Sequence, residues 1–260
     1  MLNRNLLKLI KSLEQKKYRQ REGLFVAEGP KVVGDLMRRA KPQLLVATHA
    51  WITTHPEASA HMAGNVVETS EEELRRCSFL QHPQQVVGLF PLPGGMGDRL
   101  EQLSQRASTE LVLALDGIQD PGNLGTIIRL ADWFGIQAIV CSPATADAWS
   151  PKVVQATMGS IARVDIHRTD LPTWLRSLPA DTPVYGTLLD GDDIYSQTLT
   201  PHGVIVMGNE GEGISPEVRP LIDHALLIPR FSSSVDGAES LNVAIATAVT
   251  CAEFRRRSQI

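Results

Sequence analysis

Apolar and polar positions alternate in blocks along the whole chain. In the first ninety residues the runs LFVAEG, QLLVAT, NVVETS and QVVGLF predict strands, separated by segments with helical spacing. Pro30 sits at the start of the helix predicted in PKVVGDLMRRA, where its missing N–H costs nothing. Ser70 and Glu73 form a capping box ahead of LRRCSF. The alternation predicts a small α/β layer domain. After PLPGGMGD (Pro91 to Asp98) and the short helical pattern RLEQLSQRA, the theme returns at larger scale in LVLAL, QAIVC, VYGTLL, GVIVMG and ALLIP, with IARVDI as a further strand-like run. Near-continuous apolar strands of this kind belong in a mainly parallel sheet covered on both faces. The expected organisation is a first domain over residues 1–92, a linker over 93–109 and a second domain over 110–260.

Composition narrows the class. Hydrophobic residues make up 43% of the 260 and charged residues 21%, as in ordinary globular proteins. No apolar run approaches the roughly 18 residues of a membrane span. MLNRNLLKLIKSLEQKK carries charge throughout and has no apolar core of a secretion signal. Cys77, Cys141 and Cys251 are too few and too scattered for a disulfide framework or a zinc site, and read as buried thiols of a reducing compartment. The expectation is a cytoplasmic protein with no membrane and no metal partner.

The net charge of −4 hides an asymmetry. Residues 1–41 hold eleven Lys or Arg against Glu14, Glu22, Glu28 and Asp35, a charge of +7, which leaves −11 on the remainder. A basic end on an acidic body points to a polyanion, with Lys16, Lys17, Arg19 and Arg21 as the expected contacts because they cluster just before the first strand.

Three stretches carry candidate chemistry. In DGIQDPGNLGTIIR (Asp116 to Arg129) a strand-to-helix turn has neither the G-x-G-x-x-G of dinucleotide sites nor the G-x-x-x-x-G-K of a P-loop. Leu124, Ile127, Ile128 and Ala131 define its core-facing stripe. Arg129 lies off that stripe, over Gly125 and beside Asp132 and Trp133. Asn123 is placed to cap the helix or to present its amide to a ligand. In VIVMGNEGEGIS (Val204 to Ser215) an apolar strand runs into Gly208, Gly211 and Gly213 with Glu210 among them, a turn that lets backbone approach a ligand. Ligands bind at such strand ends in open α/β sheets. In ESLNVAIATAVTCAEFRRR, Ser240 reads as the cap of a helix whose apolar stripe is Leu241, Ala244, Ile245, Ala248, Val249 and Ala252, with Asn242 in its first turn.

In that order, N-x-G-x-x-x-R (Asn123, Gly125, Arg129), G-x-E-G (Gly208 to Gly211) and IP at 228–229 followed by Ser240, Leu241, Asn242 and Val243 resemble the motifs of the SpoU (TrmH-like) RNA ribose methyltransferases of the SPOUT superfamily. None is specific alone; the ordered trio is. KKYRQREGLFVAEGPKVV and HPQQVVGLF resemble the substrate-binding domain often found ahead of that catalytic domain. The resemblance implies a C-terminal trefoil-knotted α/β domain with a mainly parallel sheet, a smaller N-terminal α/β (L30e-like) domain, a homodimer, RNA as substrate and S-adenosylmethionine as cofactor. It implies that Gly208, Ile228 and Leu241 hold the cofactor, and that Asn123, Arg129, Glu210, Ser240 and Asn242 line the reaction site. Methyl transfer to a ribose 2′-OH, in ribosomal or transfer RNA, needs alignment and loss of a proton. A guanidinium resists deprotonation, so Arg129 is expected to grip phosphate and stabilise the developing alkoxide, with Glu210 orienting it. FSSSVDGA, between IPR and ESLN, is longer than the link usual in the family. Two other readings are a non-catalytic RNA-binding or assembly protein with the same fold, and a nicotinamide oxidoreductase, which the missing dinucleotide fingerprint disfavours.

Overall fold

The structure is a computed structural model of the chain; it describes residues 2–56, 64–94, 99–232 and 240–257. Part of the expected linker (95–98) and most of FSSSVDGA (233–238) lie outside the described residues. The strands are β1 (Leu24–Glu28), β2 (Leu44–Thr48), β3 (Val66–Thr69), β4 (Val86–Pro91), β5 (Leu111–Leu115), β6 (Ala138–Cys141), β7 (Asp165–Arg168), β8 (Val184–Asp193), β9 (Gly203–Met207) and β10 (His224–Leu227). The helices are α1 (Arg4–Ser12), α2 (Lys16–Glu22), α3 (Pro30–Met37), α4 (His49–Thr54), α5 (Glu71–Cys77), α6 (Arg99–Ala107), α7 (Pro121–Trp133), α8 (Pro151–Ala156), α9 (Leu171–Arg176) and α10 (Val243–Arg257).

The chain divides into two compact units, one of 1–94 with 147–162 and one of 95–146 with 163–260. In the first, a mixed sheet in the order β1-β4-β2-β3 is antiparallel except for the β2–β3 pair. Ile10 and Leu13 from the first helical turn-and-helix segment pack with Leu24, Val26, Val46, Val87 and Leu89 of the sheet and with Leu74 and Cys77 of α5. The capping box forms: Ser70 accepts from the Glu73 amide at 3.2 Å, and the Glu73 carboxylate accepts in return from the Ser70 backbone. Residues 147–162 join this unit through α8 against β1, the ring of Trp149 4.8 Å from that of Phe25, and an ion pair between Asp147 and Arg19.

The second unit is built on a wholly parallel sheet in the order β10-β8-β9-β5-β6-β7. Val112, Ala114, Ala138, Val140, Val204 and Val206 share one face with Leu103 and Ala107 of α6 and Leu171, Trp174 and Leu175 of α9. The alternate residues Leu113, Leu115 and Ile139 are equally buried and face the other way. There α7 contacts β6 and packs on α10. Leu124, Ile127, Ile128 and Ala131, the stripe expected from spacing, are all fully buried. Of the IARVDI run, only Asp165 and Ile166 enter a strand, because Ser160–Ala162 forms a 3-10 turn within the first unit.

Two expectations for α10 are corrected. Its cap is Asn242 and not Ser240: Asn242 Oδ1 accepts from the Ala244 and Ile245 amides at 3.0 and 3.3 Å, and the helix begins at Val243. Its buried face is Val243, Ala244, Thr247, Thr250, Cys251 and Phe254, while Leu241, Ile245 and Ala252 are exposed. A threonine can line a core when its hydroxyl is satisfied within the helix, as Thr247 Oγ1 is by donating to the Val243 carbonyl at 2.7 Å. At the other end of α10, Glu253 is buried and accepts from Arg256 and Arg257. Arg257 also donates to the carbonyls of Gln197 and Tyr195, tying the helix to the β8–β9 connection.

Arg256 foremost, with Arg257 adding and burial opposing, holds the Glu253 carboxyl down at about 2. A carboxyl held low when folded stabilises the protein above its unfolded value, near 4.5, and that contribution disappears as pH falls towards 2. Glu253→Gln is therefore expected to lower Tm at neutral pH, and the gap to wild type is expected to close between pH 4.5 and 2, measured by thermal melts across that range. A constant gap would assign the loss to packing instead.

Candidate active site

The site is assembled at the C-terminal ends of β5 and β9, which are adjacent and parallel. After β5 the chain turns through Gly117, at φ 74°, into α7. Asp120 caps that helix, its carboxylate accepting from the Asn123 amide at 2.8 Å, and Pro121 occupies the first turn. Because Asp120 does the capping, the Asn123 side chain is free to point elsewhere. Its Nδ2 donates to Glu210 Oε1 at 2.5 Å, and its Oδ1 accepts from Asn242 Nδ2 at 3.0 Å. One hydrogen-bonded chain, Asn242 to Asn123 to Glu210, thus joins all three stretches singled out in the sequence.

The turn after β9 is fixed by a residue that the sequence reading passed over. Asn209 Oδ1 accepts from the amides of Gly211 and Glu212 at 2.8 and 3.1 Å, while its Nδ2 donates to the Gly117 carbonyl at 2.7 Å. Asn209 and Gly213 also exchange backbone bonds of 2.9 Å. Asp116 Oδ2 accepts from the Ser215 amide at 2.8 Å. Gly208 allows the closure: a Cβ there would lie 2.4 Å from the Gly213 carbonyl carbon and the Ile214 nitrogen. Asn two residues ahead of Gly is the side-chain-to-backbone turn signal that could have flagged Asn209.

Beside this turn lies a cavity of about 330 Å³, within the size range of small-molecule sites. Its lining includes Gly208, Ile228 and Leu241, the expected cofactor contacts, together with Glu210 and Ser240. Leu188, Leu189, Ile214, Leu226 and Leu227 add apolar wall, and Asp190, Glu212 and Arg219 add charge. An apolar slot with a few polar groups suits a purine nucleoside bearing a polar tail, so the residues present fit S-adenosylmethionine.

Arg129 stands apart from that chain. It is exposed on α7 and has no ion pair or hydrogen bond among the described residues, and Glu210 is engaged by Asn123 and not by Arg129. Trp133, one turn further along, is 83% exposed. Of the expected RNA contacts, Lys16, Lys17 and Arg21 are exposed on α2, with Lys17 Nζ and the Arg21 guanidinium each 4.8 Å from the Tyr18 ring centre. Arg19 is corrected. It is 2% exposed, paired with Asp147 and donating to the carbonyls of Leu13 and Glu14, so its charge is spent inside the first unit. Among the described residues no group of His, Cys, Asp and Glu is placed to hold a metal, and no helix is long and apolar enough to cross a membrane.

The sequence profile of the SpoU rRNA Methylase family matches residues 110–252, more than half of the chain and all three motifs. The chain belongs to the SpoU rRNA methylase family. The MRM3-like substrate binding domain matches residues 4–88. The 23S rRNA (guanosine(2553)-2′-O)-methyltransferase RlmP of Bacillus subtilis is 30% identical over 94% of both chains. The mitochondrial rRNA methyltransferase 3 of Homo sapiens is 27% identical over 75% of this chain, which spans 46% of that protein. Among solved structures, a TrmH-family protein from Porphyromonas gingivalis superposes with a TM-score of 0.87 at 42% identity over 99% of both chains. An AdoMet-bound rRNA methyltransferase from Sinorhizobium meliloti does so at 0.85 and 33%, covering 99% of this chain and 96% of its own.

Proposed function

We propose that this SpoU-family protein transfers the methyl group of S-adenosylmethionine to a ribose 2′-OH of ribosomal RNA, working as a cytoplasmic homodimer. The observation that carries the reading is the Asn242–Asn123–Glu210 chain at the rim of the apolar cavity. When bound, the cofactor supplies an electrophilic methyl on a sulfonium. The backbone at Gly208, Ile228 and Leu241 would hold it, with Ser240 in the same cavity wall. Asn123 and Asn242, each donating and accepting, lock Glu210 so that the rim does not reorganise as the ribose enters. Arg129, exposed and unpaired among the described residues, is available to grip the target phosphate and stabilise the alkoxide as it forms. A non-catalytic binder would not need this locked arrangement beside a cavity of cofactor size.

Arg129→Ala is expected to lower single-turnover methyl transfer about 100-fold or more with cofactor affinity nearly unchanged, both measured on one preparation. Full activity in the variant would remove Arg129 from the reaction.

The dimer proposal is supported by the face that α10 leaves uncovered, on which Ile245 is 54% exposed. Ile245→Glu alters that face without touching the buried one. Sedimentation at micromolar concentration is expected to give a dimer for wild type and a monomer of unchanged helical content for the variant; a monomeric wild type would contradict the proposal.

RNA affinity is assigned to the first unit, and within it to Lys16, Lys17 and Arg21. Deleting residues 1–95 is not a clean test, because 147–162 would lose their partners Phe25 and Arg19. Changing the three exposed cations to Ala in the full chain is expected to flatten the slope of log affinity against log salt by about 2 to 3. An unaltered slope would make α2 an ordinary solvated helix.

A further inference from the structure

The pairing of β8 with β10 is interrupted. Gly186 pairs with Ala225 and the next pair is Asp192 with Leu226, so residues 187–191 on β8 have no counterpart on β10. Pairing of β8 with β9 also stops at Gly186. Thr187, Leu188, Leu189 and Asp190, all within this excursion, line the cavity. The excursion is bounded by two closely packed glycines, and at Gly191, against backbone, a side chain does not fit. A Cβ on Gly186 would lie 2.3 Å from Ile222 Cδ1, and one on Gly191 2.7 Å from the Ala225 backbone. Leu189 is left 73% exposed at the cavity wall. Asp190 is tethered across the wall by Arg219, whose Nη2 donates to Asp190 Oδ2. Oδ1 accepts from no other residue's side chain among the described residues.

An apolar side chain followed directly by a carboxylate matches a nucleoside, in which the flat base is followed directly by a vicinal diol. A diol offers two neutral donors, and a carboxylate kept ionised and oriented by a guanidinium is the acceptor that fits them. Arg219 does hold the Asp190 carboxyl below its ordinary value. We propose that the β8 excursion is a nucleoside-recognition arm, in which Leu189 covers the base and Asp190, positioned by Arg219, accepts from the ribose hydroxyls of the cofactor. The proposal rests on the reading of the cavity as the cofactor site and adds a specificity-determining side chain to it.

The test is calorimetric titration of the full-length protein, without RNA, with S-adenosylhomocysteine and with 5′-methylthioadenosine, which keeps the base and diol and lacks the amino-acid tail. Asp190→Asn is expected to raise Kd roughly tenfold or more for both ligands and by the same factor, as loss of a charge-assisted acceptor does. Arg219→Gln is expected to give a smaller rise for both, since the carboxylate stays but loses its orientation. Melting temperatures without ligand check the fold; both side chains are exposed enough for their replacement to be tolerated. A Kd unchanged in Asp190→Asn for both ligands would overturn the proposal. A loss confined to S-adenosylhomocysteine would overturn it too, by placing Asp190 on the amino-acid half. Failure of the wild-type protein to bind either ligand would instead count against the cavity as the cofactor site, and so against the arm as well.

Discussion

The candidate site depends on how one asparagine satisfies the backbone of a glycine turn. Where β9 ends, the chain reverses through residues 208–213 with too few neighbours to continue a ladder, and unpaired amides at a cavity wall are costly. Asn209 uses both ends of its side chain: its oxygen takes two amides of its own turn and its nitrogen takes the carbonyl of Gly117 at the end of β5. The turn is thereby closed on itself and stitched to the neighbouring strand. Glu210 sits between residues that cannot move independently, which is why its carboxylate meets Asn123 at 2.5 Å. The rim of the candidate site is a by-product of backbone hydrogen bonding at two strand ends.

The parallel sheet makes this stitching possible. In a parallel sheet, β5, β6 and β9 all finish on the same edge, so the loops that follow them share one space. Ser142 Oγ accepts from the Gly117 amide, and Thr145 Oγ1 donates to the Leu115 carbonyl, so the β6 loop braces the β5 turn from the side away from Asn209. Arg168 braces the β6 loop in turn, donating to the carbonyls of Ser142, Pro143, Thr145 and Ala146. Directly after Ala146 the chain leaves for the first unit, returning at Arg163.

Much of what rests on local periodicity was legible in the sequence. Most strands of both sheets, the α7 stripe and the Ser70 cap follow from spacing and side-chain chemistry a few residues apart, whereas the IARVDI run gave up its first half to a 3-10 turn. Motif residues far apart in sequence were legible only through resemblance, and the structure brings Asn123, Glu210 and Asn242 into contact while leaving Arg129 outside their chain. What could not be read depends on partners remote in sequence. Arg19 looks like a surface cation until Asp147, 128 residues away, covers it. The α10 face departs from its apolar spacing because Thr247 and Thr250 are buried in it, and threonine counts as polar on any scale. The β8 excursion is a register change, and a strand's own residues do not encode where its partner stops following it.

The charge asymmetry changes meaning once the fold defines which residues belong together. Counted to residue 41, the basic end carries +7. Residues 42–94 contribute two basic and five acidic side chains and 147–162 one of each, so the first unit as folded carries +4 and the second −8. Several of its cations are also engaged: Arg19 by Asp147, Lys31 and Arg38 by Asp35, Arg21 by Glu22. The field that attracts a polyanion is therefore weaker and more local than the sequence total suggests, and concentrated where α2 presents Lys16 and Lys17 beside Tyr18. The second unit is acidic as a whole, and Arg129, the only Lys or Arg of α7, is one of its exposed cations, with Arg176 and Arg230 among the others.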